Sequence, residues 1–113
     1  MDHSKKINEE NYYKVLNILH SQPNITQRKI SRLAGISLGS VNYCLKSLVA
    51  KGFVKLDNFK KSDNKISYMY ILTPQGILKK VELTSKFLKR KMQEYQALEK
   101  EIEQLTQSMN QII

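Results

Sequence analysis

The stretch TQRKISRLAGISLGSVNYCLKSLVAKGFVKLD, from Thr26 to Asp57, decides the fold. Thr26 can cap a helix that runs through Ile30, Leu33 and Ala34 and ends at Gly35. Ser37 caps another, whose Val41, Cys44, Leu45 and Leu48 share one face at helical spacing. Lys51-Gly52 closes that helix. Phe53, Val54, Lys55, Leu56 and Asp57 then read as a strand.

Working outward, Tyr12, Val15, Leu16 and Leu19 recur at helical spacing, so residues 9–21 read as an amphipathic helix. Ser21, Gln22, Pro23 and Asn24 stop it, because proline biases the residue before it away from helix. Residues 1–7 read as a flexible N-terminus. Downstream, Ile66 to Leu72 (ISYMYIL) is β-branched and aromatic and reads as the partner strand. The polar segment from Lys60 to Lys65 between the strands reads as a hairpin tip. Thr73-Pro74 is a strong helix start, a capping hydroxyl followed by proline. No proline follows, so the last helix could run about 39 residues, about 58 Å. The order helix, helix, turn, helix, ribbon is that of a winged helix-turn-helix. The fold class is therefore mainly α with a small β-hairpin wing. Residues 8–73 form the winged domain, and residues 74–113 form a long C-terminal coiled-coil helix.

The charge says what such a domain meets. The 113 residues carry 19 basic and 10 acidic side chains, for a net charge of +9. Residues 1–91 hold 18 basic and 6 acidic groups, while residues 92–113 hold one basic and four acidic. Between Glu10 and Asp57 there is no acidic residue, only Lys14, Arg28, Lys29, Arg32, Lys46, Lys51 and Lys55. A front this basic points to a polyanion. The length excludes a barrel enzyme or a two-domain dinucleotide enzyme. No apolar run is long enough to span a bilayer, and the polar N-terminus does not read as a secretory signal. The single cysteine, Cys44, cannot form an internal disulfide, nor a zinc site with only His3 and His20. It reads as a small core residue in a cytoplasmic protein. No metal, cofactor, phosphate loop or catalytic constellation is indicated, so no enzyme is expected.

The outer face of the third helix carries Gly39, Asn42, Tyr43 and Lys46, with Leu38 and Ser40 near its start. This suits a major groove. Asn42 can pair with adenine through N7 and N6, and Tyr43 and Lys46 can reach phosphate or a base edge. Gly39 permits close approach, and Ser37, Ser40 and the first-turn N–H groups can hold a phosphate. In the wing, Lys60, Lys61 and Lys65 form a cationic tip for phosphates or a minor groove. Arg28, with Lys29 and Arg32, can brace the flanking backbone. The same residues would equally serve as a solvated helix face and a solubilising loop.

The tail has a second pattern. Ile77, Val81, Thr84, Leu88, Lys91, Tyr95, Leu98, Ile102, Leu105, Met109 and Ile112 recur in alternating steps of four and three. Nine of these eleven positions are apolar or tyrosine. A sustained heptad is a coiled-coil seam. The helix outreaches a domain whose radius of gyration is about 11 Å, so most of the seam needs a partner, most simply its twin. The expected dimerisation residues are Val81, Leu88, Tyr95, Leu98, Ile102, Leu105 and Met109. Parallel and antiparallel pairing both stay open.

Three segments, GISLGSVNYCLKSL at 35–48, KGFVKLDNFKKSDNK at 51–65 and LTPQG at 72–76, resemble the MarR-type winged-helix regulators. The nearest likeness is to the short MarR-like proteins associated with exopolysaccharide gene clusters. It covers about residues 10–105, including LTSKFLKRKMQEYQALEKEIEQL at 83–105. The resemblance implies a bacterial, nucleoid-associated, dimeric transcription factor on a pseudo-palindromic operator. Asp63 and Lys65 match the family's Asp-x-Arg wing pattern with lysine in place of arginine, a point charge without the planar fork. No segment reads as the long N-terminal helix used by full-length members, so a phenolic effector is not carried over. The expected partners are double-stranded DNA and a second copy of the chain, with no membrane. Two alternatives stay open. One is an interaction adaptor, whose winged helix binds a protein and whose tail forms a heteromeric coil. The other is an RNA-binding winged helix.

Overall fold

The computed structural model describes residues 3–60 and 66–113, with side chains over 8–57 and 69–113. The elements run α1 (His3–Ser21), α2 (Gln27–Ala34), α3 (Leu38–Ala50), β1 (Val54–Lys60), β2 (Ile66–Leu72) and α4 (Pro74–Ile112). The chain divides into two compact units, Met1–Leu83 and Thr84–Ile113, so the first ten residues of α4 belong to the winged unit.

Each expected boundary signal has a physical counterpart. Thr26 caps α2 by accepting from the Lys29 N–H at 3.2 Å. Gly35 ends it at φ 69°, with its N–H and that of Ile36 both on the Ser31 carbonyl. Only glycine adopts this left-handed geometry without cost. Ser37 caps α3 by accepting from the Ser40 N–H at 3.0 Å. The axes of α2 and α3 turn by 109°, within the helix-turn-helix range. Thr73 accepts from the Gly76 N–H at 3.0 Å and donates to the Gly52 carbonyl at 2.6 Å. One threonine thus starts α4 and ties it to the end of α3.

Two boundaries move. The first helix begins at His3 rather than near residue 9. Nothing between His3 and Glu10 breaks a helix, and lysine and glutamate are good helix formers. The first strand runs to Lys60, paired with Ile66, so Lys60 closes the ladder instead of opening the tip. The antiparallel register runs from Val54 opposite Leu72 to that pair.

The core of the winged unit is one cluster. Val15, Leu16 and Leu19 of α1 meet Ile30 of α2, the Val41, Cys44, Leu45 and Leu48 stripe of α3, Val54 of β1 and Leu83 of α4, all buried. The Tyr12 hydroxyl shares a 2.8 Å hydrogen bond with Ser47 Oγ, which satisfies the polar end of this buried ring. Leu33 of α2 is 54% exposed. The short helix buries only Ile30 fully. Among the described residues, no single helix is long and apolar enough to cross a membrane.

Candidate nucleic-acid interface

Burying Val41, Cys44, Leu45 and Leu48 fixes the rotation of α3 and therefore what its other side presents. Leu38, Gly39, Tyr43 and Lys46 are exposed, while Ser40 and Asn42 are half-buried. The expected recognition face is thus one face, held by a packed core. Tyr43 stands 57% exposed, an aromatic ring with no core role.

The start of α3 is more occupied than the sequence suggests. Ser37 Oγ accepts from the Ser40 N–H and donates to Ser40 Oγ at 2.9 Å. The Val41 N–H goes to the Ser37 carbonyl. The two serine hydroxyls are engaged with each other, which leaves the Leu38 and Gly39 N–H groups as the first-turn donors for a phosphate. A Cβ at Gly39 would find only Ser37 Oγ within 4.0 Å, so its value is an unobstructed approach to the helix start.

On α2, Arg28, Lys29 and Arg32 are all exposed, and Lys55 is exposed on β1. Within the wing, the backbone of Lys60 is fixed by the ladder. The Lys60 side chain, and Lys61, Asp63 and Lys65 altogether, lie outside the described residues.

Sequence reasoning missed a groove. Asn42, Leu45, Lys46, Val49 and Ala50 of α3 line one wall, and Leu56 and Tyr70 of the wing strands line the other, around about 340 Å³. Leu56 follows buried Val54 on the same face of β1, past the edge of the core, and is 46% exposed. Gln27 Nε2 donates to the Tyr70 hydroxyl at 3.4 Å, so the start of α2 also reaches the wing. Period-two alternation could have flagged Leu56 and Tyr70, which face each other in the register.

In the tail, Leu88, Tyr95, Leu98, Ile102, Leu105 and Met109 are each between 54% and 64% exposed. Val81 is 60% exposed but falls in the winged unit. Cys44 is buried, and burial pushes its thiol up to about 11. Among the described residues, no group of histidine, cysteine and carboxylates could hold a metal.

Residues 10–55 match the family model for winged helix-turn-helix DNA-binding domains. No protein of curated function matches the chain. Solved structures share the fold. The PcaV transcriptional regulator from Streptomyces coelicolor, in complex with its natural ligand, is 23% identical, with a TM-score of 0.56 over 69% of this chain and 54% of that one. FabT from Streptococcus pneumoniae in complex with DNA is 20% identical, with a TM-score of 0.53 over 90% and 76%. Sso10a-2, a DNA-binding protein from Sulfolobus solfataricus, is 23% identical, with a TM-score of 0.58 over 81% and 88%. The chain spans about half the length of PcaV and of several other similar structures. The first unit thus has the winged helix-turn-helix fold that these structures share.

Proposed function

We propose that this protein is a transcriptional regulator that binds double-stranded DNA as a homodimer and reads sequence with α3. The observation that carries this reading is the outer face of α3, with exposed Tyr43 and Lys46 and half-buried Asn42 on it, in a stretch without acidic residues. The core locks that face outward at a helix that fits a major groove. Asn42 and Tyr43 take the base edges. Lys46, Arg28 and the N–H groups of Leu38 and Gly39 hold phosphates, and Lys60, Lys61 and Lys65 lie along flanking DNA. The exposed seam of the second unit joins two copies, so that two recognition helices meet an inverted pair of half-sites. The complex of FabT with DNA supports the choice of duplex DNA as partner.

Salt titration of binding tests this. A dimer that neutralises about eight phosphates gives a slope of log affinity against log salt near −7. Lys60→Ala with Lys61→Ala should flatten that slope and weaken operator and random duplex alike. A slope near zero, or stronger binding to duplex RNA, would remove DNA as the partner.

A further inference from the structure

We infer that the segment Thr84–Ile113 pairs with the same segment of a second copy in antiparallel orientation, with Lys91 of each copy seated beside Ile102 and Glu101 of the other. This rests on the homodimer proposed above and adds its geometry.

The seam itself leaves direction undecided, since its apolar residues would pack either way. The charged residues decide it. In a parallel, in-register pair every seam residue meets its own copy, so Lys91 would face Lys91 across the core. Glu94 would also flank Glu99 of the other copy, and this would occur twice by symmetry. Both contacts set like charges against each other next to an apolar seam, where water screens them poorly.

Turning one copy around removes the first conflict and softens the second. With the two-fold axis between Gln96 and Ala97, Leu88 packs against Leu105 of the second copy and Tyr95 against Leu98. Lys91 then lies across from Ile102, its aliphatic stem on the core and its ammonium at the edge. Within one chain Lys91 Nζ already stands 3.2 Å from Glu94 Oε1. The antiparallel partner brings Glu101 to the other side of the same ammonium, so one lysine bridges two carboxylates that would otherwise repel.

The wider charge distribution agrees. Lys86, Lys89, Arg90 and Lys91 are the charged side chains of residues 86–91, and all are basic. Of the charged side chains in residues 94–103, Glu94, Glu99, Glu101 and Glu103 are acidic and Lys100 is basic. A parallel pair lays base on base and acid on acid. An antiparallel pair about this axis sets the basic stretch of each copy level with residues 102–107 of the other, which carry Glu103 and no basic residue, while residues 94–99 of the two copies lie level with each other.

The test is a spin-label distance in the full chain. Gln107→Cys, in a Cys44→Ala background, places one nitroxide on the outer face of the helix, away from the seam. In the antiparallel pair the two labels are offset by about 32 Å along the axis and lie about 38 Å apart. In a parallel pair they are level, about 20 Å apart. Sedimentation of the same sample reports the dimer separately. A dimer with labels near 38 Å is the expected result. A dimer with labels near 20 Å overturns the orientation and leaves the homodimer standing. A monomer at micromolar concentration overturns both.

Discussion

Asn42 and Lys46 stand one helical turn apart on α3, yet their roles divide by chemistry. The Asn42 amide carries a donor and an acceptor in fixed geometry, which suits a base edge, whereas the Lys46 ammonium is an undirected charge. Asn42→Ala should cost about 1–3 kcal/mol on a cognate duplex and leave scrambled duplex nearly unchanged. Lys46→Ala should weaken both. Paired titrations of each variant on the two duplexes decide this, with equal losses for Asn42→Ala counting against base reading at that position. Cys44, on the opposite face, makes a different prediction. Burial holds its folded thiol at about 11, against an ordinary value of 9.0. The folded state therefore keeps a proton that the unfolded chain releases first. The stabilisation is whole below pH 9 and is lost as pH climbs toward 11. Denaturant midpoints across that range should fall more steeply for the wild type than for Cys44→Ala, and parallel curves would contradict the burial.

At the scale of elements, the junction of α3, β1 and α4 depends on Gly76. A Cβ there would overlap the backbone carbonyl of Phe53, which also accepts from the Thr73 N–H at 3.1 Å. Backbone cannot yield as a flexible side chain can. Gly76→Ala should thus destabilise the winged unit by about 1–3 kcal/mol, read as a lower midpoint in thermal unfolding. A wild-type midpoint would mean that α4 shifts freely against β1. The sequence made much of this level legible, because caps are local. Thr26, Ser37 and Thr73-Pro74 announce helix starts by chemistry that involves only the next few residues. What it hid depends on distant partners. The clash that fixes Gly76 lies with Phe53, far back in the chain. The exposure of Leu33 follows from how little of a short helix faces the core. The groove beside Asn42 and Lys46 needs Leu56 and Tyr70 brought over by the hairpin. The inner and outer faces of α3 were legible because a buried stripe leaves only one arrangement for the rest.

The whole molecule joins a basic unit to a helix with an exposed apolar seam, and in the proposed function DNA symmetry connects the two. One winged domain reads one half-site. A two-fold pair of domains reads an inverted repeat and gains from binding both halves at once. The charge division fits this proposal, since residues 1–91 hold 18 basic and 6 acidic side chains and residues 92–113 hold one basic and four acidic. The proposed pair of domains reads sequence, and not merely phosphate. The most direct measurement is selection of duplexes from a random library by the full chain at physiological salt, followed by sequencing of what it retains. The account predicts enrichment of one motif built from two inverted half-sites. A retained pool with no motif, equal in composition to the input, would contradict it.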